Sequence, residues 1–271
     1  MNTSATSFSE IEAMLCTCAS LVEDDKVYWV GGGGYPLHSV FLAHRTHAPA
    51  VTIITEDGGI GPQPALPLDP MMAMVSARSG YRALSWTSMN TVCTHASLGL
   101  VDYAILQTLQ VDPYGNINSS FLGKDYFHPE RRYGGSGGAN EMASLCWRTI
   151  LMTTQEKRKF VKRVDFISSP GFLDGSPNAR EKAGLPEGTG PYRVLTPEAM
   201  FGYDDETHYL KLLATVQWVT VDEVLEKMDF EPLLADEIGK LELPTEEQLT
   251  VLRTLIDPRG QTIGTGKWIE T

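Results

Sequence analysis

The sequence predicts an α/β fold. Val27–Val30 is a short apolar run that ends in four glycines, Gly31–Gly34. Helical spacing follows, and then a second β-branched run, Val51–Thr55. Strand, glycine loop, helix and strand in that order make a βαβ unit, which joins parallel strands. Further strand-like runs alternate with capped helices as far as residue 255, a pattern that belongs to α/β architectures. No linker-like stretch and no internal repeat divides the chain, so residues 1–271 read as a single domain.

The elements follow in order. Between Phe8 and Val22 the apolar positions Ile11, Leu15, Cys18 and Leu21 or Val22 recur at helical spacing. Val27–Val30 is a buried strand, and Pro36 to His44 is a helix with proline in its first turn. Ala48-Pro49-Ala50 breaks the chain before the strand Val51–Thr55, which ends at Glu56-Asp57-Gly58-Gly59. Pro62 to Pro70 is a proline-rich loop, and Met71 to Ala77 reads as helical. Tyr103 to Leu109 is a strand, Asp112-Pro113-Tyr114-Gly115 a turn, and Ile117 to Phe121 the returning strand. A second glycine loop, Gly134 to Gly138, leads into Ala139 to Cys146. Lys157 to Arg163 reads as a helix-like stretch, and Thr149–Thr153 and Val164–Ser168 as strands. Thr220-x-x-Glu223 and Thr245-x-x-Gln248 are capping boxes that start helices through Lys227 and Leu255.

Bulk properties exclude several functions. The net charge of -12 repels a phosphate backbone, so nucleic-acid binding is not expected. No stretch of about 18 apolar residues occurs, so no membrane span is expected. The first twenty residues lack a basic segment followed by an apolar run, which speaks against a signal peptide. Cys16, Cys18, Cys93 and Cys146 form no Cys-x-x-Cys pair and read as reduced, packed thiols of a cytoplasmic protein. The six histidines lack zinc-ligand spacing, so no metal is expected.

Two features can carry chemistry. Glu56 ends a strand, and in open α/β sheets ligands bind beyond the carboxyl ends of strands. The plainer alternative is a turn acid bonded to local amides. The loop Gly134-Gly135-Ser136-Gly137-Gly138-Ala139-Asn140 presents backbone N–H groups that can hold a phosphate or an oxyanion, or else form only a structural turn. Gly31–Gly34 offers the same chemistry at the first strand, and neither run fits a nucleotide-binding fingerprint.

Several motifs stand in a familiar order: Val30 to Leu37, Ala48-Pro49, Ile53 to Gly58, Val111 to Ser119, Gly135 to Asn140, Glu156 to Phe160, Ser168 to Gly175 and Asp222 to Glu226. Together they resemble the beta-type subunits of family I CoA-transferases over most of the chain. The resemblance implies an open, mostly parallel sheet with helices on both sides, the CoA-transferase superfamily fold. It implies an alpha-type partner subunit in a heteromer, with coenzyme A as co-substrate and no permanently bound cofactor. It also implies that Glu56 is the nucleophile of a ping-pong exchange between an acyl-CoA and a carboxylic acid, through a glutamyl-CoA thioester. Gly137, Gly138 and Ala139 are then the oxyanion and substrate loop, with Gly33, Gly34 and Asn140 as further substrate-binding residues. Two other readings stay open: a hydrolase or lyase acting on C–C bonds of CoA thioesters, and a non-catalytic partner subunit.

Overall fold

The computed structural model describes residues 4–31, 34–63, 65–68 and 77–270. The chain forms two compact units, one of residues 1–105 with 242–271, the other of residues 106–241.

The first unit opens with strand β1 (Ser7–Ser9) and helix α1 (Glu10–Ser20). α1 starts with a capping box: Ser9 Oγ accepts from the Glu12 amide (3.1 Å), and Glu12 Oε2 accepts from the Ser9 amide (2.8 Å). The helix therefore begins two residues inside the Phe8 start that its apolar spacing suggests. Glu12 is fully buried and would be costly alone. Arg253 compensates it, with Nε and Nη2 at 2.6 and 2.7 Å from the two carboxylate oxygens. Strand β2 (Val27–Val30), helix α2 (Tyr35–Arg45) and strand β3 (Thr52–Thr55) form the expected βαβ unit, with β2 and β3 parallel. β3 then pairs antiparallel with β4 (Gly59–Ile60), and β4 with β5 (Ser85–Trp86). After helix α3 (Met89–Ser97), strand β6 (Tyr103–Gln107) returns parallel to β2. Tyr28 and Tyr103 stack across that pair at 4.7 Å. The C-terminal segment adds a helix at Glu246–Val251 that continues as a π-helical turn at Leu252–Ile256, and a strand Trp268–Glu270 that pairs with β1.

The second unit begins with a hairpin, β7 (Gln110–Val111) and β8 (Ile117–Asn118), around the predicted Asp112–Gly115 turn. The expected returning strand is split. β9 (Phe121–Leu122) leaves the hairpin and pairs with β10 (Arg131–Arg132) instead. Helix α4 (Ala139–Leu145), strand β11 (Arg148–Met152) and the short helix α5 (Ala179–Lys182) follow. Strands β12 (Gly190–Leu195), β13 (Ala199–Tyr203) and β14 (Leu210–Thr215), helix α6 (Val221–Glu226) and strand β15 (Leu233–Lys240) complete the unit. β11–β12 and β14–β15 are parallel pairs, and β12–β13–β14 is an antiparallel meander. Ile150, Leu151, Met152, Val194 and Leu195 are fully buried, and each side chain of this kind contributes roughly 1.5–3 kcal/mol of burial.

The α/β expectation therefore holds, with antiparallel strands added to the parallel ones. Two local expectations are corrected. Val164–Ser168 is not a strand; the segment makes one isolated bridge, Ile117 with Ser169. Its hydrogen bonds run through side chains, with Asp165 accepting from the Gly123 amide and Ser168 Oγ from the Ser119 amide. The basic run Lys157–Arg163 is not helical either. Glu156 folds it into a turn, its carbonyl accepting from the Lys159 amide (2.8 Å) and its carboxylate ion-pairing with Arg158 and Lys159. Val111 then pairs with the chain at Lys159 and Val161. Of the expected helix at Met71–Ala77, residues 71–76 lie outside the described residues.

Candidate active site

β3 ends at Thr55, and the chain turns back into β4 through Glu56, Asp57 and Gly58. The Gly58 amide donates to the Thr55 carbonyl and the Gly59 amide to Thr55 Oγ1, each at 3.0 Å. The Thr55 hydroxyl donates to an Asp57 carboxylate oxygen at 2.5 Å. Gly58 has φ +100°, and a Cβ there would lie 2.3 Å from the Thr87 carbonyl oxygen. Only glycine meets both demands, the left-handed backbone and the close approach. Glu56 rides on this turn, half-buried, at the carboxyl end of a parallel strand. That is where α/β sheets receive ligands.

In the same unit, Gly34 is the N-cap of α2, and its carbonyl accepts from both the amide (3.0 Å) and Nδ1 (2.6 Å) of His38. His38 is fully buried, and its Nε2 has no hydrogen-bond partner among the described residues. Burial pushes its pKa below the ordinary histidine value, against the pull of the Gly34 carbonyl and the Asp257 carboxylate. Gly33, expected to touch substrate, lies outside the described residues.

The second glycine loop belongs to the other unit. The Gly135 amide donates to the Ser119 carbonyl (3.1 Å) and the Ala139 amide to the Ser136 carbonyl (2.9 Å). Gly137 is exposed, and Gly138 is the buried N-cap of α4. Asn140 Nδ2 donates to the Ser168 carbonyl at 2.9 Å, which ties the loop to the Ser168–Gly171 segment.

That segment meets the Asp112–Gly115 turn in a dense knot. Asn116 Nδ2 donates to both Asp112 oxygens (3.1 and 3.0 Å) and to the Leu173 carbonyl (2.7 Å). Asn116 Oδ1 accepts from the amides of Gly171 (2.9 Å) and Leu173 (3.1 Å). A Cβ on Gly171 would lie 2.3 Å from the Tyr114 carbonyl oxygen, so the two segments can touch only through glycine. Burial raises the Asp112 pKa, while the Asn116 side chain and the amides of Asn116 and Tyr114 pull it back down. Asn118 Nδ2 bridges Gln110 Oε1 and the Phe121 carbonyl, both at 2.7 Å.

Residues 12–227 match the Coenzyme A transferase family, a span that covers most of the chain and both glycine loops. This chain belongs to that family. It is 34% identical over 260 residues to the beta-type subunit of glutaconate CoA-transferase from Acidaminococcus fermentans, covering 93% of this chain and 94% of that one. It is 31% identical over 255 residues to the beta-type subunit of 3-oxoadipate CoA-transferase from Pseudomonas knackmussii, covering 92% and 93%. Its fold superposes on the crystal structure of the Acidaminococcus fermentans glutaconate enzyme with a TM-score of 0.86 and 31% identity, over 94% of this chain and 97% of that one.

The chain is thus a CoA-transferase, an enzyme class that uses coenzyme A as co-substrate. Sequence reading places Asn116 and Asn118 at a turn but misses their reach to residues 171–173 and 110. Nothing local signals such a contact, because the partners lie 55 to 57 positions away for Asn116. No helix among the described residues is long and apolar enough to cross a membrane.

Proposed function

We propose that this CoA-transferase acts as the catalytic beta-type subunit beside an alpha-type partner, with Glu56 as the nucleophile. The observation that carries the proposal is the half-buried Glu56 at the end of β3, on a turn closed by Thr55, Asp57 and Gly58. Ionised Glu56 attacks the acyl-CoA carbonyl and expels CoA thiolate, leaving a mixed anhydride. The thiolate attacks the Glu56 carbonyl, forms a glutamyl-CoA thioester and releases the first acid as its carboxylate. A second carboxylate then runs both steps in reverse and leaves as its CoA ester. The thioester bond is conserved, so the cycle needs no permanently bound cofactor. Water must be kept out, because it would hydrolyse the anhydride.

The amides of Gly137 and Gly138 are the proposed oxyanion donors, each typically worth about 2.7–4 kcal/mol of barrier. Ala139 serves the loop through its bond to Ser136, and Asn140 through its bond to Ser168. Gly33 and Gly34 are proposed to line the substrate's approach. Residues 1–271 are taken as one catalytic module, supported by a family match that draws on both units. The unpaired thiols, three of them buried, agree with a cytoplasmic setting. Glutaconate and 3-oxoadipate, the acids in the names of the two relatives, are both dicarboxylates, so short dicarboxylic acyl-CoA esters head the substrates to assay.

The test is covalent trapping. The assembled enzyme is incubated with acyl-CoA and then borohydride, which reduces a glutamyl thioester to an alcohol. Mass spectrometry should find the reduced residue at Glu56; a label at any other carboxylate refutes the assignment. CoA release that proceeds without an acceptor acid would point to hydrolysis instead.

A further inference from the structure

Beyond the loops discussed so far, the second unit contains an open cleft of about 630 Å³, walled by residues of β12, β13 and β14, by α5 and by the Gly188–Gly190 loop. Arg148, Arg180 and Arg193 line it, and none of the three has an ion-pair partner among the described residues. Each is held in place by neutral groups. Arg148 Nη1 donates to the carbonyls of Trp147 (3.0 Å) and Gly188 (2.8 Å). Arg193 donates to the Tyr192 carbonyl (2.8 Å), and its guanidinium lies 3.8 Å from the centroid of the Tyr192 ring. Arg180 is 4% exposed, and its terminal nitrogens reach the carbonyls of Pro170, Gly171, Ala143 and Ser144 and the Thr189 hydroxyl.

Acids are present too. Asp204 is already engaged by Lys211 at 3.1 Å and by the Thr207 amide and hydroxyl, and Asp205 and Glu181 are exposed. Burial lowers the Arg180 pKa to about 10, which still leaves it charged at neutral pH. Rigid guanidinium groups with no carboxylate bonded to them, in a chain of net charge -12, make a preorganised site for an external anion. The rings of Phe172 and His208 also line the cleft and stack at 4.3 Å, which offers a flat apolar surface next to the cations.

We infer that this cleft binds the phosphoryl groups of a nucleotide-sized anion, either the adenosine 3′-phosphate 5′-diphosphate end of CoA or a free adenine nucleotide. The first source rests on the CoA-transferase reading above; the second does not. The spacing suits CoA. Arg180 grips the last carbonyls of α4, whose first residue follows Gly138, and seven residues span about 10 Å at about 1.5 Å each. The pantetheine arm likewise keeps the phosphates well away from the thioester, so a phosphoryl site has to stand off from the oxyanion loop.

The experiment uses the chain assembled with its partner subunit. Calorimetric titration with adenosine 3′,5′-bisphosphate should show binding that weakens with added salt. Arg148→Gln and Arg193→Gln should each weaken it about tenfold. Arg193→Lys, which keeps the charge, should weaken it less, which separates lost charge from lost fold. Lys162→Gln and Arg163→Gln, in a neighbouring recess, should leave it unchanged. If CoA is the occupant, KM for acyl-CoA rises in step while kcat holds. If the bisphosphate affinity falls but KM does not, a free nucleotide occupies the site. No bisphosphate binding, or binding indifferent to Arg148 and Arg193, overturns the proposal. The titration reads the cleft even in an enzyme whose Glu56 chemistry has failed, so the two readings fail separately.

Discussion

The turn at residues 55–59 and the knot of residues 112–118 with 168–174 both lie in motifs of the CoA-transferase family, and both follow the end of a strand. In the turn, Thr55, Asp57 and Gly58 supply the bonds and the backbone shape, and a carboxylate sits on top of them. In the knot, the polar side chains themselves are the structure: Asn116 alone makes three donor and two acceptor contacts. A family motif therefore mixes two kinds of residue. Some hold the backbone and some face the reaction, and only the pattern of hydrogen bonds separates them.

Glu56→Gln gives the largest expected effect on activity. Transfer should fall about 10⁴-fold or more, as for other covalent nucleophiles, while the thermal midpoint moves little. Near wild-type turnover would take Glu56 out of the chemistry and make the turn no different in kind from the knot. Gly58→Ala tests whether the turn's shape matters as much as its carboxylate. The added Cβ meets the Thr87 carbonyl and forces a left-handed backbone, so a loss of about 2–5 kcal/mol in denaturant stability is expected. Unchanged stability would mean that the turn can open away from Thr87 at no cost.

Asn116→Ala should cost about 2–4 kcal/mol, because the buried Asp112 carboxylate and the Gly171 amide lose partners. Turnover per folded molecule should hold, and a collapse of kcat at full stability would move Asn116 from framework to chemistry. Asn140→Ala removes one half-buried bond to Ser168 and should cost about 1 kcal/mol. A rise in the transition-state barrier larger than that would show the Gly137–Gly138 loop depends on this tether.

The smallest effect is a pH dependence. Burial holds the His38 pKa below the ordinary value, with the Gly34 carbonyl and Asp257 acting against it. As pH falls through about 6.5, the unfolded chain takes up a proton that the folded chain refuses, so stability drops. Thermal melts between pH 7.5 and 5 should show this decline, and His38→Phe should flatten it. Equal slopes for both proteins would mean that His38 is not the titrating group.

Much of the first unit is legible because its signals are local. β2, α2 and β3 are bounded by glycines and by Ala48-Pro49-Ala50, and their periodicities differ cleanly. The capping boxes at Thr220 and Thr245 are local as well, and both form as expected. Val164–Ser168 resembles a strand only because a β-branched and aromatic run is equally compatible with an irregular segment. Its exposed Phe166 and Ile167 carry no pairing partner in the local sequence. The arginine cleft leaves no trace in the sequence, since Arg148, Arg180 and Arg193 sit on β11, α5 and β12 with no common spacing.

By itself the chain's order of residues determined its α/β class, the strand that delivers Glu56, the glycine loops and the family resemblance. Those depend on backbone preferences and on contacts within a few positions. Tertiary structure decided which polar residues became framework, as Asn116 and Asn140 did, and which cations share a wall. Hydrogen bonds and charges act over a few ångströms in space, and residues far apart in the chain come within that range only after it has folded.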